Sequence, residues 1–245
     1  MARQSGMAGI AVVLLLASSV RANGLNLVSN PGFETPASTL GSSPSGYGYW
    51  QGDESAIVTA RQGIVPYEGQ RMLQFISAAS LGASKYGASE VEQLLDVGAY
   101  TADIGTGLVV VTATAYFNRV RLDSETDSRF SLRMLAMAGD PAEYRGHGQE
   151  AELALAYAGL YTDTDRATWE PLTLEFAIPA ATDYLTVEVA ARENRFNDIT
   201  GTEFDGHYAD NVSVVLRVIP EPTTVFSGLV GLGVVGAYVR RRRVG

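Results

Sequence analysis

The most informative absence in this sequence is cysteine, because the chain of 245 residues contains none. Disulfides, thiol catalysis and zinc–thiolate sites are therefore excluded, and a folded domain must be held by its core, with or without a metal ion. Histidine is also scarce, and neither His147 nor His207 accompanies a nucleophile motif such as GxSxG. Both histidines are expected in glycine-flanked loops. Catalysis therefore has little support, although acidic residues are numerous enough to supply the carboxylate pair of a glycosidase.

Positive charge is scarce away from the two ends of the chain. From Asn23 to Val239 there are 27 acidic and 12 basic residues, a formal net charge of −15. Such a surface repels phosphate backbones, so nucleic acid is not expected as a partner. The same surface is compatible with neutral polymers or with cations.

The N-terminus has the layout of an export signal. One early cation, Arg3, precedes an apolar run over residues 10–17, and Val20 and Ala22 stand at the positions that a signal peptidase reads. The run is short for a membrane span, which makes a retained N-terminal anchor the less favoured alternative. The sequence predicts a signal peptide over residues 1–22.

Residues 24–218 are sufficient for one domain, and their pattern is that of β-strands. Apolar and polar residues alternate, which indicates strands with one buried and one wet face. These alternations run through residues 130–134, 172–178, 185–190 and 212–216. Residues 108–117 are apolar on both faces and predict a central strand, with Tyr116 or Phe117 in the core. Residues 149–161 suit a strand or a helix, and we assign a strand. The prediction is an all-β antiparallel sandwich.

The C-terminus combines three features in a fixed order. Pro220, Glu221 and Pro222 come first, followed by an uncharged stretch over residues 223–239. As a helix this stretch would span about 25 Å, a short but usable transmembrane length. A cationic stop on the cytoplasmic side follows, made of Arg240, Arg241, Arg242 and Arg243. The sequence therefore predicts one C-terminal transmembrane helix.

This tail, residues 219–245, resembles the PEP-CTERM sorting signal of exopolysaccharide-producing Gram-negative bacteria. The resemblance implies that an exosortase recognises the Pro-Glu-Pro and processes the tail. The protein would then be exported across the inner membrane, anchored during sorting, and released to the cell surface or the extracellular matrix. An ordinary C-terminal anchor is the alternative.

Two motifs at the ends of the domain carry a second resemblance. LVSNPGFE ends at Glu34, and FDGHYADNV contains Asp210, with Trp169 before a predicted strand. Together they resemble the galactose-binding-like jelly rolls found among carbohydrate-binding modules. The resemblance implies that Glu34 and Asp210 lie close together and share a structural calcium ion. The alternative is that both carboxylates cap turns.

Sugar recognition requires flat aromatic faces for pyranose rings and polar groups for their hydroxyls. The candidate ligand-binding residues are Tyr47, Tyr49 and Trp50, with Tyr144 and Tyr161 as further candidates. Trp50 equally suits the core of a sandwich. We expect an exported, non-enzymatic, carbohydrate-binding module that associates with polysaccharide. A structural matrix protein without a discrete ligand and a glycan-cleaving enzyme are the alternatives.

Overall fold

The structure, a computed structural model, describes residues 24–36, 44–76, 86–120, 129–144, 151–163, 165–194, 204 and 206–219. Residues Asn23–Ile219 cluster as one compact unit. The predicted signal peptide and the predicted membrane helix over residues 223–239 lie outside the described residues. Within the described part of the chain, no helix is long and apolar enough to cross a membrane.

The alternating segments form ten β-strands. They are β1 Gln51–Gly52, β2 Ser55–Val58, β3 Met72–Phe75, β4 Tyr86–Asp96, β5 Val109–Arg119, β6 Arg129–Met137, β7 Glu152–Leu160, β8 Glu170–Ala177, β9 Tyr184–Asn194 and β10 His207–Val218. Helical structure in the described residues is limited to α1 Thr101–Ile104 and to 3₁₀ turns at Gly98–Tyr100 and Pro141–Glu143.

The strands form two antiparallel sheets of five. Sheet I has the order β1-β4-β9-β6-β7, and sheet II has the order β2-β3-β10-β5-β8. All the strand pairs within them are antiparallel. The predicted antiparallel sandwich is confirmed. The stretch that suited either a strand or a helix is β7, an edge strand of sheet I.

The core lies between the inner faces of the two sheets. On β9 the inner face carries Leu185, Val187 and Val189, all fully buried, as the period of two requires. Phe117 of β5 stacks on Phe130 of β6 with ring centroids 4.8 Å apart, which joins sheet II to sheet I. Of the two aromatic residues predicted to reach the core, Phe117 does so. Its neighbour in the chain, Tyr116, points to the opposite face of the sheet and stacks on another aromatic ring, described below.

One irregularity in β10 bears on the site. The register of β10 against β5 shifts between Asp210 and Ser213, and Asn211 has a φ of 46°. A β-bulge of this kind re-aims the side chains on either side of it. Here Val212 joins the core, while Asp210 lies beneath the loop that links β2 to β3.

Candidate functional site

The two predicted metal ligands hold one loop from opposite ends of the domain. Asp210 Oδ2 accepts hydrogen bonds from the backbone N–H of Tyr67 at 2.8 Å and of Glu68 at 3.3 Å. Glu34 Oε1 accepts from the N–H groups of Gln70 at 2.9 Å and Arg71 at 3.0 Å. The loop before β3 is therefore clamped by carboxylates on both sides.

Burial and nearby negative charge act on Asp210. The pKa of its carboxyl is raised to about 7, because desolvation and, to a smaller extent, the charge of Glu34 outweigh the opposing hydrogen bonds from backbone N–H groups. A Cβ placed on Gly32 would lie 3.7 Å from Asp210 Oδ1 and 3.9 Å from Glu34 Cγ, so both side chains border the same glycine. No cluster of three or more acidic or histidine side chains that suits a metal forms among the described residues. A calcium ion here would take its remaining oxygen ligands from backbone carbonyls.

The three predicted ligand-binding aromatics lie in different environments. Tyr49 is 63% exposed, whereas Trp50 is 1% exposed and packs against Phe33 with ring centroids 5.1 Å apart. Trp50 therefore belongs to the core, and its ring faces are not open to a ligand. Tyr47 forms an isolated bridge with Leu94 of β4. Burial raises the pKa of the Tyr47 phenol, and the neighbouring acids Asp96, Asp140 and Asp183 raise it further.

The outer face of sheet I carries an unexpected row of polar side chains. Four residues on adjacent strands stand directly opposite one another, and we call them the central row: Glu92 on β4, Glu188 on β9, Arg133 on β6 and Tyr157 on β7. Arg133 and Glu188 form an ion pair through Nη2 and Oε2. Direct cross-strand neighbours have Cβ atoms about 5 Å apart, so the two carboxyl groups of Glu92 and Glu188 are held side by side.

Two features of the central row are electrostatically costly. Glu188 is only 2% exposed, and its Oε1 has no hydrogen-bond partner among the described residues. Burial raises the pKa of Glu188 to about 8, and the charge of Glu90 adds to that effect while Arg133 opposes it. Burial also raises the pKa of Glu92, although the hydroxyl of Tyr144 donates a hydrogen bond to Glu92 Oε2 at 2.6 Å. A row of this kind stabilises a fold less than apolar residues of similar volume would.

The central row separates an apolar band from a cationic one. On one side, Leu94, Leu135, Met137 and Tyr184 form a buried cluster, and Tyr144 packs against it. Tyr47 borders this band, since it bridges to Leu94. Burial and the nearby phenol of Tyr47 together raise the phenol pKa of Tyr184 to about 12.

On the other side of the central row, arginines face the solvent side of the sheet. Arg192 of β9 pairs with Glu90, with its Nη2 3.1 Å from Oε1. Arg129 of β6 stands directly opposite Arg192. Its guanidinium carbon lies 5.4 Å from the ring centre of Tyr157 and 5.8 Å from that of Tyr161. Tyr157 is 40% exposed and Tyr161 is 68% exposed.

A second aromatic group lies on the outer face of sheet II. Tyr67 of the clamped loop stacks on Tyr116 with ring centroids 3.9 Å apart. Trp169 approaches Tyr67 edge-on at 6.4 Å, and its indole N–H donates to the carbonyl of Val65 at 2.9 Å. These contacts fix the loop against the sheet.

The histidines do not form a catalytic constellation in the described part of the chain. His207 was expected in a loop, but it opens β10, is fully buried, and has its Nε2 3.6 Å from Glu193 Oε2. That expectation was wrong because the apolar surroundings of Phe130 and Phe204 draw the ring into the sandwich. His147 lies outside the described residues.

Sequence reasoning brought Glu34 and Asp210 together but missed the central row. In the sequence, Glu188 between two valines of β9 and Glu92 in β4 look like ordinary residues of a solvent-exposed strand face. Only the pairing of the strands distinguishes these glutamates from ordinary exposed ones. Because β4, β9 and β6 are neighbours in the sheet but not in the chain, the sequence pattern carries no sign of that pairing.

Comparison with known proteins identifies one part of the chain directly. The family described as the PEP-CTERM protein-sorting motif matches residues 218–243. The chain carries a PEP-CTERM sorting signal. This motif indicates export and exosortase-dependent surface sorting, as the resemblance of the tail implied. None of the curated proteins compared with the chain matches it.

Several solved structures, carbohydrate-binding modules with a jelly-roll fold among them, resemble the domain. A cyclase from Fischerella sp. TAU is 14% identical, with 81% of this chain and 100% of that chain covered and a TM-score of 0.50. TmCBM61 in complex with β-1,4-galactotriose is 16% identical over 78% of this chain and 97% of that chain, with a TM-score of 0.44. The CBM22-1 xylan-binding domain from Paenibacillus barcinonensis Xyn10C is 13% identical over 80% and 97%, with a TM-score of 0.44. At these identities the similarity concerns the fold.

Proposed function

We propose that this protein is a non-catalytic polysaccharide-binding module that an exosortase delivers to the cell surface or the extracellular matrix. The ligand-binding surface is the outer face of sheet I. The observation that carries this proposal is the central row, with the buried Glu188 and the half-buried Arg133 at its middle and the exposed Tyr157 at its end.

The chemistry of this face suits a sugar chain. Carboxylates accept hydrogen bonds from hydroxyl groups, and guanidinium groups donate to ring and hydroxyl oxygens. Exposed tyrosine rings offer flat apolar surfaces to the C–H faces of pyranose rings, and Tyr157 and Tyr161 supply two of them on one side of the row. Four adjacent strands position the residues of the row, which makes it rigid before a ligand arrives.

The polar row is more costly than a structural role requires. A sheet face that only needed covering would be stabilised by apolar side chains, as the neighbouring band of Leu94, Leu135 and Met137 is. Strongly perturbed carboxyl groups such as Glu188 concentrate at functional sites, which favours a role in binding.

A glycan microarray probed with the full-length protein in mild detergent tests the proposal. We expect binding to at least one polysaccharide class, and we expect a double Tyr157→Ala, Tyr161→Ala variant to lose it. Tyr49→Ala is the comparison variant, because Tyr49 is an exposed tyrosine elsewhere on the surface and the ligand-binding candidate that the sequence suggested. Loss of binding in Tyr49→Ala alone would place the ligand at the loop before β1 instead. No binding to any glycan by the folded wild type would overturn the proposal.

A glycan-cleaving enzyme is the second candidate, and one observation favours it. Glu92 and Glu188 are direct cross-strand partners, and burial raises the pKa of both. A carboxylic acid beside a second carboxyl group is the arrangement that glycoside hydrolysis uses. Release of new reducing ends from a bound polysaccharide, lost in Glu188→Gln while binding remains, would establish the enzyme. Binding without release supports the non-catalytic module.

A further inference from the structure

We infer that the polysaccharide bound on sheet I contains carboxylate-bearing sugars, and that Arg129 receives the carboxylate. This inference rests on the proposed function and specifies its ligand class. The residues concerned are Arg129, Tyr157, Gly159 and Tyr161, which we call the arginine cradle.

Arg129 differs from the other arginines of this face. Arg133 pairs with Glu188 and Arg192 pairs with Glu90. For Arg129 no carboxylate partner is found among the described residues, and its contacts are two tyrosine rings. Its Nε is buried without a hydrogen-bond partner there, as are those of Arg133 and Arg192, so the absent carboxylate is what distinguishes Arg129. A guanidinium of this kind lacks the anion that its charge and its fork of donors fit.

Arg129 places a second positive charge beside that of Arg192 at one end of this sheet face. Arg129 and Arg192 are direct cross-strand partners, and like charges so placed destabilise a sheet. Glu90 neutralises only one of the two. A ligand carboxylate would supply the missing negative charge.

The cradle is shaped around the guanidinium. An ideal Cβ on Gly159 would lie 2.3–2.6 Å from Nη2, Nε and Cζ of Arg129, so the guanidinium rests directly over this glycine. The rings of Tyr157 and Tyr161, two residues before and two residues after the glycine, flank it. Cation–π contacts on two sides hold the guanidinium in place and reduce the conformational entropy lost on binding.

This arrangement matches the two recognisable parts of an acidic sugar, its carboxylate and the apolar C–H face of its ring. The planar guanidinium accommodates a carboxylate through two parallel N–H···O hydrogen bonds. The exposed tyrosine rings beside it can cover the C–H face of the same or the next sugar ring. The net charge of −15 for residues 23–239 repels acidic polymers in general. An acidic polysaccharide must therefore bind where a positively charged side chain is locally available. Arg129 provides one.

The test measures binding of the full-length protein by titration calorimetry to oligomers of galacturonate, mannuronate and glucuronate. Each oligomer is paired with its carboxyl-reduced, neutral counterpart. We expect at least one acidic oligomer to bind, with its affinity falling about tenfold or more on carboxyl reduction, as the loss of a charge-assisted bidentate contact implies.

Three variants locate the effect. Arg129→Gln and Arg129→Lys should both weaken acidic binding, the second because lysine keeps the charge but loses the planar fork. Gly159→Ala should displace the guanidinium while the fold persists, because the clash involves only the flexible end of a side chain. Arg217→Gln is the control. It removes one positive charge from the outer face of sheet II, where Arg217 pairs with Glu175, and should leave acidic binding unchanged. Thermal melts confirm that each variant folds.

The outcomes separate this inference from the proposed function. Equal affinity for acidic and reduced oligomers, or full acidic binding by Arg129→Gln, overturns the arginine cradle and leaves the glycan-binding module standing. A wild type that binds neutral glycans on the array but none of the three acidic oligomers has the same consequence. A wild type that binds no glycan at all overturns both.

Discussion

Glu34 and Asp210, which are 176 positions apart in the chain, hold adjacent stretches of one loop through four backbone N–H groups. The loop carries Tyr67, whose ring stacks on Tyr116 of sheet II. The segment before β1 and the last strand of the domain are thereby tied to the same element. The stability of this connection depends on how the two carboxylates are neutralised.

The first prediction concerns calcium at this pair. Calcium that binds only the folded state should stabilise the protein by about 2.7 kcal/mol at 100 times its dissociation constant. We therefore expect the melting temperature of the full-length protein to rise by several degrees when EDTA is replaced by excess calcium. The melting temperature of Asp210→Asn should respond much less to calcium, because the substitution replaces a negatively charged carboxylate ligand by a neutral amide.

The calcium response should also depend on pH. The pKa of Asp210 is raised to about 7, so calcium must displace a proton at pH 5 but not at pH 8. The upward shift in melting temperature should be larger at pH 8. If calcium and magnesium produce the same negligible shift at both pH values, the carboxylates act only as loop clamps.

The second prediction concerns Glu188 and the pH dependence of stability. Its folded-state pKa of about 8 lies above the ordinary glutamate value, so the folded state holds its proton more tightly than the unfolded state. The stability from this group is fully present below about pH 4.3 and is lost as the pH rises through 8. Glu188→Gln should therefore flatten the decline in melting temperature between pH 5 and pH 8.

Asp210 contributes to the same decline, because its carboxyl pKa is raised in the same direction. Measurements in EDTA exclude calcium binding, so that the pH dependence reports only the titration of the two carboxyl groups. Asp210→Asn should remove a part of the slope that ends near pH 7 rather than near pH 8, and the double variant should be flattest. A steeper decline in Glu188→Gln than in wild type would show that the ion pair with Arg133 governs this region instead.

Much of the fold could be predicted because it follows from local alternation. The strand around Leu185, Val187 and Val189 places three apolar side chains on one face whatever its neighbours are. The meeting of Glu34 and Asp210 followed from a resemblance in two short motifs. The central row could not be predicted, because Glu92, Glu188 and Arg133 become neighbours only through the register of non-consecutive strands.

The aromatic residues illustrate the same limit at the level of single side chains. Tyr49 and Trp50 are adjacent in a segment rich in glycine and serine, yet one is exposed and the other is buried against Phe33. Phe33 has a φ of 54°, a left-handed conformation that the sequence does not reveal. The contact between Phe33 and Trp50 therefore could not be predicted from composition or spacing.

The third prediction separates these two aromatics by stability. Trp50→Ala should lower the free energy of unfolding by about 3–5 kcal/mol, because it removes a large buried ring and leaves a cavity. Tyr49→Ala should change it by less than about 0.5 kcal/mol, as expected for an exposed side chain. Urea unfolding followed by tryptophan fluorescence, with Trp169 as the remaining probe in Trp50→Ala, measures both. Similar small losses in the two variants would contradict the buried position of Trp50.

The fourth prediction concerns the tail. From the sequence we expect Pro220 and Pro222 to favour extended backbone around Glu221, so that a peptidase meets this residue in a short extended segment ahead of the hydrophobic stretch. A membrane peptidase that reads this segment would remove everything beyond it. The mature protein from an exosortase-containing host should therefore lack Arg240 to Arg243, and Glu221→Ala should leave the full tail in place. Intact-mass spectrometry of the exported protein measures both forms.

Arg217→Gln supplies the control for this experiment, because Arg217 immediately precedes the matched residues 218–243 and its change also removes one charge. That variant should be processed like wild type. An ordinary membrane anchor makes the opposite prediction, since its arginines would remain as a cytoplasmic stop in every variant. Mature wild-type protein that still ends at Gly245 in a host with an active exosortase would therefore identify the tail as a permanent anchor. The proposed sugar-binding face would then act from the membrane rather than from the matrix.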